Sequence, residues 1–144
     1  MDALRIEFEP FVDDGVRRFV EEGVDHHNIA ATGLAGCFPA NFVLRSERGE
    51  VMGGLLGFIW GDWLQVDSLW VSDAARGQGF GQGLLSAAET YARERGCQGV
   101  FLDTYSFQAR PFYERQGYEV FGTLPDYPPG HERHFLRKRL APAG

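Results

Sequence analysis

Between the apolar run Leu64 to Val71 and a segment of helical periodicity lies Arg76-Gly77-Gln78-Gly79-Phe80-Gly81-Gln82-Gly83, with glycine at every second position. Glycine reaches φ > 0 without a Cβ penalty, so this stretch can turn sharply and let its backbone approach a ligand. The helix that follows begins with N–H groups that lack intrahelical partners, and its dipole is positive at that end. A strand, a tight glycine turn and a bare helix start together favour a bound anion. Two familiar phosphate motifs are excluded. GxxxxGK[ST] is absent, because the only lysine is Lys138. A GxGxxG fingerprint fails because Gln82 and Leu84 stand where its third glycine would fall.

Periodicity organises the rest of the chain. Leu4, Ile6 and Phe8 alternate with charged neighbours, which predicts a half-buried strand over residues 4 to 9, ended by Pro10. Phe11, Val12, Val16, Phe19 and Val20 recur at helical spacing and predict a helix to about Glu22, with Asp13 and Asp14 near its start. His26 through Gly36 reads as a short second helix or a loop. Phe42 to Arg45 and Val51 to Trp60 predict a hairpin, and a turn at Gly61-Asp62 leads to the strand Leu64 to Val71. Gly79 to about Arg95 predicts a long helix with Leu84, Leu85, Ala88, Tyr91 and Ala92 on one face and Gly96 as its cap. A strand Gly99 to Tyr105 follows, then a short helix over 111 to 116 with Pro111 in its first turn, closed by Gly117. Tyr118 to Gly122 and His134 to Leu140 complete the strands, separated by a proline-rich loop from Leu124 to His131.

Composition narrows the class. At 144 residues, 44% hydrophobic and 24% charged, the chain reads as one globular domain over residues 1–144. No run of 18 apolar residues and no signal-peptide pattern is present, so the expectation is a cytoplasmic protein without a membrane role. Cys37 and Cys97 lack metal-ligand spacing and read as reduced structural thiols; no metal site is expected. A formal charge of −6 argues against a nucleic-acid partner. Acids concentrate in residues 2 to 25, which would suit a cationic substrate or simply a solvated helix face, while Arg133, Arg137, Lys138 and Arg139 cluster near the other end.

Two segments carry a family resemblance. Arg76-x-x-Gly79-x-Gly81, preceded by Val66-Asp67-Ser68-Leu69-Trp70-Val71, fits the signature R/Q-x-x-G-x-G/A. Ala109-Arg110-Pro111-Phe112-Tyr113-Glu114-Arg115-Gln116-Gly117-Tyr118 is close to A-x-x-F-Y-E-K-x-G-F. Taken in that order and with that spacing, nearly the whole chain resembles the GNAT superfamily of N-acetyltransferases. The resemblance implies an α/β (α+β) fold whose mixed central sheet is splayed open and flanked by helices. It implies acetyl-CoA as co-substrate and transfer of the acetyl group to a primary amine of a small molecule or peptide by direct attack in a ternary complex. A homodimer would be the family habit. Two rival readings stay open: a non-catalytic CoA-binding module, and use of another acyl-CoA.

Residue by residue, the resemblance assigns the pyrophosphate to Gly77, Gln78, Gly79, Phe80, Gly81 and Gln82, with Arg76 adding a cation. Leu69, Trp70 and Val71 would offer backbone groups to the pantetheine arm, and Tyr113 would protonate the departing thiolate. Ser106 stands where many members carry asparagine, so the hydrogen bond expected there is altered. For the general base, period-two alternation puts Asp67 on the side of Gln65 and Leu69, near where several members place a carboxylate. Asp103, at the end of the next strand, is an alternative, and His131 and His134 fall in the part of the chain expected to face the acceptor.

Overall fold

A computed structural model describes residues 2–142, which divide into two compact units meeting between Ala35 and Gly36.

In the first unit the alternating segment forms no strand. Leu4 and Ile6 are 91% and 103% exposed, and residues 2–9 carry no regular structure. Alternation marks which face a strand would bury, but a strand exists only when a neighbour supplies the ladder. The predicted helix and the predicted second helix or loop are one element, α1, Asp14–Thr32. Asp13 lies outside it as N-cap, its carboxylate accepting from the Val16 N–H at 2.9 Å. The expected break near His26 is absent, and the helix runs on until Gly33 adopts the left-handed conformation and donates its N–H to the Ile29 carbonyl.

The second unit is a seven-stranded mixed sheet with two helices. Its strands are β1 (Phe38–Pro39), β2 (Phe42–Arg45), β3 (Val51–Trp60), β4 (Trp63–Val71), β5 (Gly99–Tyr105), β6 (Glu119–Pro125) and β7 (Glu132–Arg139). The spatial order is β1-β3-β4-β5-β7-β6, with β2 also paired to β3. β2 and β3 form the predicted hairpin, and β1 is a two-residue addition that periodicity cannot detect. β6 runs past the expected end at Gly122 to Pro125, and β7 starts at Glu132, so the loop is shorter than its composition suggests. Pro125 is tolerated because β6 is the sheet edge and the residue ends the strand.

Helix α2 (Phe80–Glu94) buries Leu84, Leu85, Ala88 and Ala92, the face predicted from spacing. These pack with Leu55, Leu64, Val66, Val100, Leu102 and Leu136 from the sheet. Tyr91 is only partly buried, and the surprise on this face is Glu89, which is 6% exposed. Its carboxylate accepts from the Tyr118 hydroxyl at 2.8 Å and pairs with Lys138 Nζ at 2.9 Å. A buried charge needs such partners. Two other residues of the basic cluster are also paired, Arg133 with Asp103 and Arg137 with Glu119, and Arg139 lies over the Trp63 ring.

Two features of β4 shape the cavity beside it. The strand pairs with β5 in parallel only over Trp63↔Gly99, Leu64↔Val100 and Gln65↔Phe101. Beyond Gln65 the strands part, and the β5-facing edge of β4 is left without a ladder. On its other side, Leu56↔Ser68 is followed by Gly57↔Val66, so Asp67 is the extra residue of a β-bulge. Gly57 sits against this bulge so closely that a Cβ there would collide with the Gln65 carbonyl oxygen.

Candidate active site

The mouth left by the parting of β4 and β5 is a cavity of about 730 Å³. Asp67, Leu69 and Trp70 line it from β4, Asp103 from β5, and Tyr113 from the short helix α3 (Arg110–Arg115). Arg76 completes that wall near the glycine turn. Six residues expected at the site, Asp103 among them as the alternative base, therefore share one concavity, although up to 46 positions separate them; Val71, the turn glycines and Ser106 are not part of its lining.

The bulge corrects one step of the strand reading. Leu64 and Val66 are buried, and Leu69 and Val71 pack against the same core, so the inward face changes parity across Asp67. Asp67 shares its face with Gln65, whose side-chain amide donates to Asp67 Oδ1 at 3.0 Å, but not with Leu69. Trp70 points outward and is 56% exposed. Asp67 makes no ion pair among the described residues, whereas Asp103 accepts from Arg133 Nε at 2.9 Å.

Tyr113 is 6% exposed and enters no side-chain hydrogen bond among the described residues. Burial, with the Asp103 carboxylate adding to it, pushes its phenol up to about 12. It is therefore a proton carrier in the neutral form throughout the ordinary pH range. Its ring packs edge-on to Phe112 at 5.1 Å and to Tyr118 at 6.0 Å. Phe112 reaches the start of α2, where a Cβ at Gly81 would lie 3.6 Å from the Phe112 ring. The paired aromatics of the second motif thus have separate tasks: Phe112 abuts the glycine turn and Tyr113 faces the cavity.

The turn itself is built as the sequence requires. Gly77 and Gly79 have φ of 76° and 83°, and nothing lies within 4 Å of a Cβ built at either. Gly79 is the N-cap of α2 and no side chain caps that end. Phe80, Gly81 and Gln82 occupy the first turn, whose N–H groups have no intrahelical acceptor. Open space, a backbone that has no side chains in the way and a bare fifteen-residue helix start fit an anionic group such as a pyrophosphate. Arg76 is placed differently from the expectation of a free cation: its Nε donates to the Val71 carbonyl at 2.9 Å and its terminal nitrogen pairs with Asp73 at 2.6 Å. Gln78 donates to the Ala74 carbonyl at 3.3 Å. Both side chains brace the turn.

Three other expected residues are occupied elsewhere. Ser106 Oγ accepts from the Glu132 N–H at 3.0 Å and stands 3.4 Å from His131 Nδ1, tying the end of β5 to the start of β7. His134 is buried with Nδ1 3.0 Å from Thr123 Oγ1 and Nε2 3.4 Å from an Arg110 nitrogen. These contacts hold the buried His134 ring between β6 and α3. Cys97 is buried, which raises its thiol further from reactivity.

The sequence reading missed Thr104, Phe107 and Gln108, which also line the cavity. Gln108 Oε1 accepts from the Tyr105 N–H at 3.0 Å and from Thr104 Oγ1 at 3.2 Å, and Thr104 Oγ1 accepts from the Ala109 N–H at 3.3 Å. These bonds fold the turn between β5 and α3. The polar cluster Thr104-x-x-x-Gln108 just before α3 was the available signal.

Comparison with known proteins identifies the family and the fold. The profile of the Acetyltransferase (GNAT) family matches residues 5–118. The chain is 50% identical over 95 residues to Blasticidin-S acetyltransferase of Streptomyces morookaense, covering 65% of this chain and 70% of that protein. It is 35% identical over 128 residues to an acetyltransferase of Agrobacterium fabrum, covering 89% and 93%. A crystal structure of an acetyltransferase from Bacillus cereus superposes with a TM-score of 0.80 at 32% identity, over 93% of this chain and 98% of that one.

Proposed function

The chain belongs to the GNAT acetyltransferase family, and from that premise we propose that it transfers an acetyl group from acetyl-CoA to a primary amine of a small molecule. The observation that carries this reading is the convergence of Tyr113 and Asp67 on one cavity beside an uncapped helix start. Similarity to a blasticidin-S acetyltransferase supports a small-molecule acceptor over a peptide.

Acetyl-CoA would supply the activated thioester. The first turn of α2, with Gly77 and Gly79, holds the pyrophosphate through backbone N–H groups. The edge of β4 at Leu69, Trp70 and Val71 that β5 leaves without a ladder offers backbone groups to the amide-bearing arm, apart from the Val71 carbonyl that Arg76 occupies, and an N–H there polarises the thioester carbonyl. Asp67, through water, accepts the proton that an ammonium must lose before its nitrogen can attack. The nitrogen then bonds to the acetyl carbonyl carbon, the carbon–sulfur bond breaks with its electron pair passing to sulfur, and Tyr113 gives that sulfur its proton. The amide nitrogen releases its surplus proton to water, which restores the phenol. Products are the N-acetyl amine and the free thiol, with no acetyl group on the protein.

Asp67 suits the base role better than Asp103, because it carries no ion-pair partner among the described residues while Asp103 is held by Arg133. The test is acetyl-CoA-dependent thiol release over a panel of amines, with acetyl-CoA binding followed by calorimetry in wild type and Gly79→Glu. Binding in the wild type with loss in the variant is expected. Equal affinity in both would remove the glycine turn from the site.

A further inference from the structure

Beyond the reacting groups, the cavity carries two exposed aromatic side chains on different walls. Trp70 projects from β4 and Phe107 from the turn after β5, each 56% exposed. Phe107 is part of a larger aromatic group: it stacks on Tyr105 with centroids 5.3 Å apart and 14° between planes, and His131 meets it edge-on at 5.0 Å. Tyr127, itself 47% exposed, lies 6.0 Å from Tyr105. Of this group only Phe107 lines the cavity, with Tyr105, Tyr127 and His131 behind it, and exposed aromatics such as Phe107 and Trp70 in a concavity are costly to leave in water and are efficient contacts for a ligand.

What such a group binds depends on where its negative π faces point. The rings behind Phe107 already have a cation. Arg133 places its guanidinium 5.7 Å from the Tyr105 ring, 5.9 Å from Tyr127 and 5.0 Å from Phe135, while bonding Asp103. A second cation there would meet that charge. A flat, uncharged ring would not, and it gains by stacking on Phe107 or Trp70. The acceptor's own positive charge has a separate place, since Asp67 lines the same cavity without an ion-pair partner among the described residues.

We infer that the acceptor is an aryl-alkyl amine: a neutral planar ring held against Phe107 and Trp70, with a short chain carrying the amine to Asp67 and Tyr113. This rests on the acetyltransferase reading above and adds the substrate class. The pair of tryptophan and phenylalanine, rather than the acidic groups, would then set specificity.

The experiment compares phenethylamine with cyclohexylethylamine, which share chain length and a basic primary amine and differ in the π system. In the wild type, kcat/KM for the aryl amine is expected to be about tenfold higher, the size that stacking on two rings provides. In Phe107→Leu and in Trp70→Leu that ratio should fall to about threefold or less. Phenethylamine is also titrated calorimetrically into the CoA-loaded protein, where binding in the wild type should weaken by a similar factor in Phe107→Leu. A wild-type ratio near one, a ratio unchanged in Phe107→Leu, or no binding of phenethylamine to the CoA-loaded protein overturns the inference. Acetyl-CoA titration into the same preparations reads the underlying proposal separately: acetyl-CoA binding with no aryl preference sinks only the substrate class, and no acetyl-CoA binding sinks the function itself.

Discussion

Tyr113→Phe removes one oxygen from a ring that is otherwise unchanged, and the surroundings of that oxygen determine the outcome. No side chain bonds the hydroxyl among the described residues, so its loss breaks no internal hydrogen bond and should alter folding stability by less than about 1 kcal/mol. The chemistry is affected far more. A positioned acid contributes about 10²- to 10⁴-fold, or about 3 to 5 kcal/mol of barrier. The phenol near 12 faces a thiol of ordinary pKa about 8.5, a gap worth about 5 kcal/mol if both values held at the moment of transfer. They do not both hold, because the desolvation that raises the phenol raises a thiolate forming in the same cavity. Tyr113 therefore serves best as charge develops on sulfur, and the variant should lose kcat by at least 100-fold with the KM for acetyl-CoA nearly unchanged. The assay is continuous thiol release at saturating amine, with thermal melting of both proteins alongside. A kcat within about threefold of wild type, in a protein that melts normally, would refute the acid role.

Other consequences are direct. Gly79→Ala places a Cβ at a φ of 83° in otherwise open space, so stability should fall by about 1 kcal/mol in thermal melts while calorimetric affinity for acetyl-CoA drops at least tenfold. Glu89→Ala strands the Lys138 charge and the buried Tyr118 hydroxyl, and urea unfolding should show a loss of about 3 kcal/mol or more. The Tyr113 phenol also predicts a pH dependence. With its folded value raised above the unfolded value of about 10, the native state keeps a proton that the unfolded state has lost, so stability is complete below pH 10 and declines as pH rises toward 12. Urea unfolding between pH 9 and about 11.5 should show a steeper decline for wild type than for Tyr113→Phe. Asp103→Asn should lower the Tyr113 value, seen by NMR of ring-labelled tyrosine, because one of its two causes is gone.

Much of this site was legible because it is local. The alternating glycines, the strand before them and the helix after them depend on neighbours within a few residues, and α2 buries the face its spacing marks. Parity across Asp67 was not legible: the bulge arises from the register of β4 on β3, with Gly57 as the partner that allows the close approach, and no count along β4 alone reveals it. The strand expected at residues 4 to 9 failed for the complementary reason, since alternation does not create a partner. Arg76 has the charge for an anion site, yet Val71 and Asp73 hold it, which depends on the short turn at Asp73–Ala75. Glu89 was hidden by polarity, because a glutamate on an apolar face is identifiable as buried only once Tyr118 and Lys138 are known to reach it. The aromatic group around Phe107 joins the end of β5 and the turn after it to the loop between β6 and β7, so its members are unremarkable singly and informative together.

The central claim is that this cavity transfers an acetyl group from acetyl-CoA to an amine, and the most direct measurement is mass spectrometry of amines incubated with acetyl-CoA and the protein, alongside Tyr113→Phe. The account predicts an amine heavier by one acetyl group, one free thiol released per product, no acetyl group retained on the protein, and little product from the variant. Acetylated protein, or product formed equally well by the variant, would contradict it.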